Sequence, residues 1–223
     1  MTRVGWSACW LFACISAALP AHAQSQSLPL RDAEVALAGY ADCVVTRKAY
    51  RAPVTTFLRT VPESPDFNGN AMKAADMSCL NAAAARQRSK LTLRIQPEAY
   101  REALYPALYR RDFGKKGPPT GIAELPPLQL SGEFTQDAAA LPEPYRPGRA
   151  LGDCVSRQAP QAVHALLMAK PDSAKEDVAV QALQPALGAC LPAGKSFKFT
   201  RATLRAWTGE AMYKLSVAAA PVD

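Results

Sequence analysis

LGDCVSRQAP, residues 151–160, repeats in outline what YADCVVTRKA, residues 40–49, has already said. Cys43 and Cys154 stand at the same place in the two stretches, each flanked as Asp-Cys-Val. From Cys43 to Cys79 is 36 residues, and from Cys154 to Cys190 is again 36. A leucine follows the second cysteine both times, Leu80 and Leu191. Further on, KLTLRI from Lys90 resembles KSFKF from Lys195, and YREALYPALY ending at Tyr109 resembles LRAWTGEAMY ending at Tyr213. Arg101 then falls on Arg205 and Ala107 on Ala211. The second copy is shorter, losing residues after Cys190, where NAAAARQRSK (81–90) faces only PAGK (192–195). A loop is the natural place for such a loss. The chain therefore reads as a tandem duplication.

Four cysteines allow three pairings. A single ancestral unit would need its own bridge, so the repeat predicts Cys43–Cys79 and Cys154–Cys190. Each bridge closes a loop worth roughly 3–4 kcal/mol in the chain-entropy model. That matters for units this small, whose cores supply little surplus stability.

The remaining two cysteines, Cys9 and Cys14, belong to a different kind of segment. Arg3 gives a positive start, VGWSACWLFACISAAL an apolar run, and Ala21-His22-Ala23 a small-x-small cleavage signal. This is the pattern of a secretory signal peptide over residues 1–23, with the mature chain starting at Gln24. The run is shorter than the roughly 20 residues that a membrane span needs. LFAC at residues 11–14 is a loose lipobox, but its apolar run is short and Phe12 fits it poorly. No later segment is apolar enough to span a bilayer, so the mature protein is expected to be soluble, periplasmic or secreted. An even number of cysteines in an exported chain fits that compartment.

Loss of Arg3 leaves 25 basic and 19 acidic groups, a mature net charge of +6. Residues 30–113 carry +4 of this, residues 114–149 none, and residues 150–223 +2. An excess so spread out is no nucleic-acid signature but allows weak attraction to anionic polymers or membrane surfaces.

Apolar spacing predicts mostly helices. In the first unit, residues 24–113, a helix runs from Asp32 to about Arg47, a short one spans APVTTFLRT, and a third runs from Ser64 to about Arg86. KLTLRI alternates strictly, the mark of a half-buried strand. The segment from Pro97 is helical, with a kink or break expected at Pro106. In the second unit, residues 150–223, Pro160 opens a short helix and Ser173 with Glu176 forms a capping box. Pro185 should disturb the helix that reaches Cys190. Phe197 and Phe199 mark a second strand, and Thr200 caps a last helix carrying Leu204, Trp207, Ala211 and Leu215. Residues 114–149, rich in Pro and Gly, read as a linker or extended surface loop. The expected fold is thus mainly α with minor β, an α+β molecule of two disulfide-tied helical units. Each would bring one short strand, and the two strands would pair across a pseudo-two-fold axis, because a lone strand leaves its backbone groups unpaired.

Chemistry is sparse. The mature chain has one histidine, His164, in a short helical stretch with the look of a packed or solvated side chain. The cysteines lack a CxxC pair, so neither zinc nor dithiol redox chemistry fits them, and no cofactor is implied. GxSxG, Walker and HExxH motifs are missing from the sequence, and Ser78 and Ser156 beside the cysteines carry no triad signature. Asp42 and Asp153 are the best candidates for a carboxylate pair, though charged residues are mostly exposed ones. The densest basic patch is RRDFGKK, where Arg110, Arg111, Lys115 and Lys116 stand near Tyr105, Tyr109 and Phe113. Such a patch suits an anionic polymer, and it belongs to one unit only, since Lys214 is nearly alone in the other. Tyr109, Tyr213 and Trp207 read as core residues.

These observations point to a non-enzymatic exported interaction module that binds an envelope protein or an anionic polymer. The competing readings are a carboxylate-based hydrolase and a weak polyanion binder using Arg110–Lys116.

Overall fold

The computed structural model describes residues 30–80, 96–191 and 199–220. Of these residues 69% are helical, and none is in a strand or sheet. The first half contains α1 (Leu30–Thr46), α2 (Arg51–Leu58), α3 (Phe67–Lys73) and α4 (Pro97–Phe113). Residues 77–80 add a helical turn that carries Cys79. The second half contains α5 (Tyr145–Gln158), α6 (Pro160–Met168), α7 (Ala174–Ala182), α8 (Gln184–Cys190) and α9 (Arg201–Ala219).

The expected α+β fold is corrected by this result. KLTLRI at residues 90–95 lies outside the described residues, as does most of KSFKF. Phe199, the described end of the second alternating run, packs its ring 6.0 Å from that of Trp207. No ladder joins the halves across a pseudo-two-fold axis among the described residues. Alternation alone selects a strand only when a neighbouring strand satisfies its backbone, and here helices cover both cores instead.

Helix α4 lies against α9, and the two form the seam between the halves. Gly209 of α9 faces Pro106 of α4 so closely that a Cβ there would stand 2.7 Å from the Pro106 Cγ. Pro106 does not break its helix, which runs through it from Pro97 to Phe113, and its ring serves as a packing surface for α9. Tyr40, Phe57, Phe67, Tyr100 and Leu104 fill the first core. Val155, Val163, Leu166, Leu183, Leu204 and Met212 fill the second. Tyr109, from the end of α4, is part of the second core, so one helix serves both.

The bridges run Cys43–Cys79 and Cys154–Cys190, with Cα separations of 5.7 and 5.8 Å. Each ties the first helix of its half to a later turn.

Local signals explain most helix ends. Pro53 lies in the first turn of α2 and Pro160 opens α6, positions where a missing N–H is harmless. The Ser173 hydroxyl accepts from the Glu176 N–H, and the Thr200 hydroxyl from the Thr203 N–H. Pro185 falls in the first turn of α8, and the chain breaks before it at Leu183. The long third helix expected from Ser64 is instead two pieces. Asp76 takes both the N–H and the hydroxyl of Ser78, at 2.8 and 2.7 Å, and so caps a new turn.

The stretch read as a linker is anchored to the first half. The Thr135 N–H donates to the Arg59 carbonyl at 2.8 Å, and Gln136 accepts from the Val61 N–H at 2.9 Å. Val61, Phe134 and Leu141 form a small third core beneath it. Helix α5 begins at Tyr145, within the range read as linker.

Candidate ligand cleft

Beside the seam lies a cleft of about 520 Å³. Helix α2 forms one wall with Arg51, Val54, Leu58 and, just past its end, Arg59; α4 forms another with Tyr105, Leu108, Arg111 and Asp112. Tyr213 and Lys214 of α9 close it, together with Glu133 from the segment between the halves. Helical spacing produces these walls. On α4, positions 105, 108, 111 and 112 share one face. On α2, residues 51, 54, 55, 58 and 59 do the same.

The cations fall at two ends. Arg111 donates to the Val45 carbonyl at 2.8 Å, which places it at the end of α1, where the chain turns through Tyr50 into Arg51. At the other end, Arg59 donates to the Gly132 carbonyl at 3.2 Å, and Lys214 to the neighbouring Glu133 at 2.8 Å. Arg51 and Arg59 are exposed, and Arg51 has no ion-pair partner among the described residues. Between the ends lie Val54, Leu58, Leu108 and the Tyr105 ring.

Behind the cleft is a buried charge network. Glu210 accepts from both terminal nitrogens of Arg101, at 2.9 and 3.1 Å, and from the Tyr145 hydroxyl at 2.6 Å. Lys214 donates to Glu210 as well as to Glu133. Arg149 pairs with Glu133 and reaches Glu210 at 3.4 Å. The Arg101 guanidinium stands 5.1 Å from the Tyr105 ring centroid and 5.2 Å from that of Tyr145, a stacked arrangement. Burial by itself raises the Glu210 carboxyl, but Arg101 and Lys214 outweigh it and hold the group well below the usual carboxylate range. Burial pushes the Tyr105 and Tyr145 hydroxyls up, so both stay neutral. With Lys214 and Glu133 of the cleft wall included, three cations in this network face two carboxylates.

A second cleft of about 420 Å³ runs between α1, α4 and α9. Alanines dominate its walls, and its arginines are occupied: Arg110 with Asp42 at 2.7 Å, Arg205 with Glu176 at 2.5 Å.

The basic patch RRDFGKK is divided by the helix that carries it. Arg110 faces the second cleft and also donates to the Leu167 carbonyl at 3.0 Å. Arg111 faces the first cleft and is bound to Asp112. Lys115 and Lys116 are exposed beyond the helix end. Asp42 pairs with Arg110 and Asp153 with Arg157, on separate helices and outside the first cleft. His164 shares a 2.9 Å hydrogen bond with the Tyr109 hydroxyl, and burial lowers its basicity. Tyr109 is fully buried, while Tyr213 is half-buried at the cleft edge. No group of three His, Cys, Asp or Glu side chains among the described residues is placed to hold a metal ion.

Sequence reasoning passed over Arg51, Arg59, Glu133, Arg149 and Glu210. Arg101 and Glu210 did carry a signal. Each interrupts an apolar helix face, Arg101 one turn before Leu104 and Tyr105, Glu210 beside Ala211. A charge in that position is either paired or functional.

No protein-family model, curated protein or solved structure matches this chain. No helix of the described residues is long and apolar enough to cross a membrane.

Proposed function

We propose that the protein is an exported, non-enzymatic binding module that takes an anionic ligand in the cleft beside the α4–α9 seam. The observation that carries this reading is the pair of exposed arginines, Arg51 and Arg59, on one wall of a concave, tyrosine-lined space that Arg111 and Lys214 also line, these two in ion pairs with Asp112 and Glu133. Its volume lies in the range of pockets that bury a small ligand or a few side chains. A hydrolase reading asks for a carboxyl group facing substrate, yet Asp112 is held by Arg111 and Glu133 by Arg149 and Lys214. The compartment rests on the leader-like residues 1–23 and on two disulfides, which persist in oxidising surroundings.

The test is a titration of the oxidised chain 24–223 with an aryl sulfonate, an inorganic polyphosphate and an acidic peptide. At least one should bind, more weakly as salt rises and more weakly still in Arg51→Ala and Arg59→Ala. These two side chains are exposed, so the variants keep the fold. Failure of all three probes overturns the reading. Export is tested separately: deletion of residues 1–23 should retain the protein in the cytoplasm.

A further inference from the structure

We infer that the ligand of this cleft is an extended peptide segment of another protein, with acidic side chains at positions i and i+4 and an apolar one at i+2. The inference rests on the anion-binding reading above and adds the partner's chemistry to it.

Two distances carry the argument. Arg51 opens α2 and Arg59 follows its last residue, so at 1.5 Å per residue their backbones stand about 12 Å apart along the helix axis. In an extended peptide, residues i, i+2 and i+4 share one face, and i to i+4 spans about 13 Å. The two repeats match. Acidic side chains at i and i+4 meet the exposed Arg51 and Arg59, while Arg111 and Lys214, held by Asp112 and Glu133, line the same cleft. The side chain at i+2 meets the strip of Val54, Leu58, Leu108 and Tyr105.

The same arrangement disfavours a uniformly charged polymer. Such a chain would lay charge on the apolar middle, which removes water without replacing its hydrogen bonds. Backbone amides of a peptide, by contrast, are neutral there.

The experiment uses a fluorescent nine-residue peptide with Glu-Ala-Leu-Ala-Glu at its centre, titrated into oxidised 24–223. Two controls have the same composition: one scrambled to bring the glutamates together, one with the leucine moved outside them. The designed peptide should bind about tenfold tighter than either control. Arg51→Ala and Arg59→Ala should each remove most of that preference, while Lys115→Ala with Lys116→Ala leaves it unchanged. Equal binding of all three peptides overturns the spacing argument. Binding of polyphosphate without the peptide overturns the peptide and makes this a polyanion site. Binding of no probe at all overturns the anion-binding reading itself.

Discussion

Glu210 is the residue on which the seam turns. It lies in α9, accepts from Arg101 of α4, and touches Lys214, Tyr145 and Arg149. Removing one member of a buried ion pair leaves the other charge desolvated and uncompensated, which costs about 3–5 kcal/mol. Glu210→Ala should therefore lower stability by that order in chemical denaturation, and far more than Asp177→Ala, whose pair with Arg201 is exposed. The carboxylate also sets an acid limit. Its folded proton affinity is depressed from the ordinary value of 4.5, so its contribution is complete above that pH and fades as pH falls toward the folded value. Melting temperatures measured through this acid range should drop in the native chain, and the drop should be shallower in Glu210→Gln. An equally steep drop in that variant would place the acid sensitivity elsewhere.

Elements here begin and end where side chains say so, and Asp76 shows the strength of one such signal. The apolar spacing of Phe67, Ala71, Ala75 and Cys79 is helical throughout, and read alone it gives one continuous helix. Asp76 interrupts it by accepting twice from Ser78. Asp76→Ala should cost about 1 kcal/mol and loosen amide-exchange protection at residues 77–80, while α3 keeps its own. Unchanged exchange at Ser78 would show that the disulfide at Cys79 alone holds this turn. The helices, their caps at Ser173 and Thr200, and both bridges were legible because they depend on neighbours in sequence. The α+β expectation fails among the described residues because period-two alternation is necessary for a strand and insufficient without a partner, and there helices cover the cores. The cleft was harder still. Arg51, Arg59, Glu133 and Lys214 come from three separate stretches, and only the folded chain brings them together. The basic patch at Arg110–Lys116 looked continuous in sequence, but adjacent residues on a helix point about 100° apart, so Arg110 and Arg111 serve different surfaces.

Across the whole molecule the question is whether two bridged halves behave as two bodies or one. Each disulfide closes its loop inside one half. Tyr109 of α4 is buried in the second core, Tyr213 of α9 packs against both, and the Arg101–Glu210 pair spans the seam. Neither half can unfold without exposing a buried aromatic ring and splitting a buried ion pair. Coupling of that kind makes melting a single cooperative transition. Replacing Cys43 and Cys79 with alanine removes a constraint worth roughly 3–4 kcal/mol from the unfolded first half. With one cooperative body, that loss lowers the melting temperature of the entire chain by roughly 10 °C. Calorimetry should show one peak, shifted as a whole, and the same for the pair Cys154 and Cys190. A peak that splits, with one component left at the native temperature, would mean that the halves fold independently. The cleft, whose walls come from both, would then need a further constraint to hold its shape.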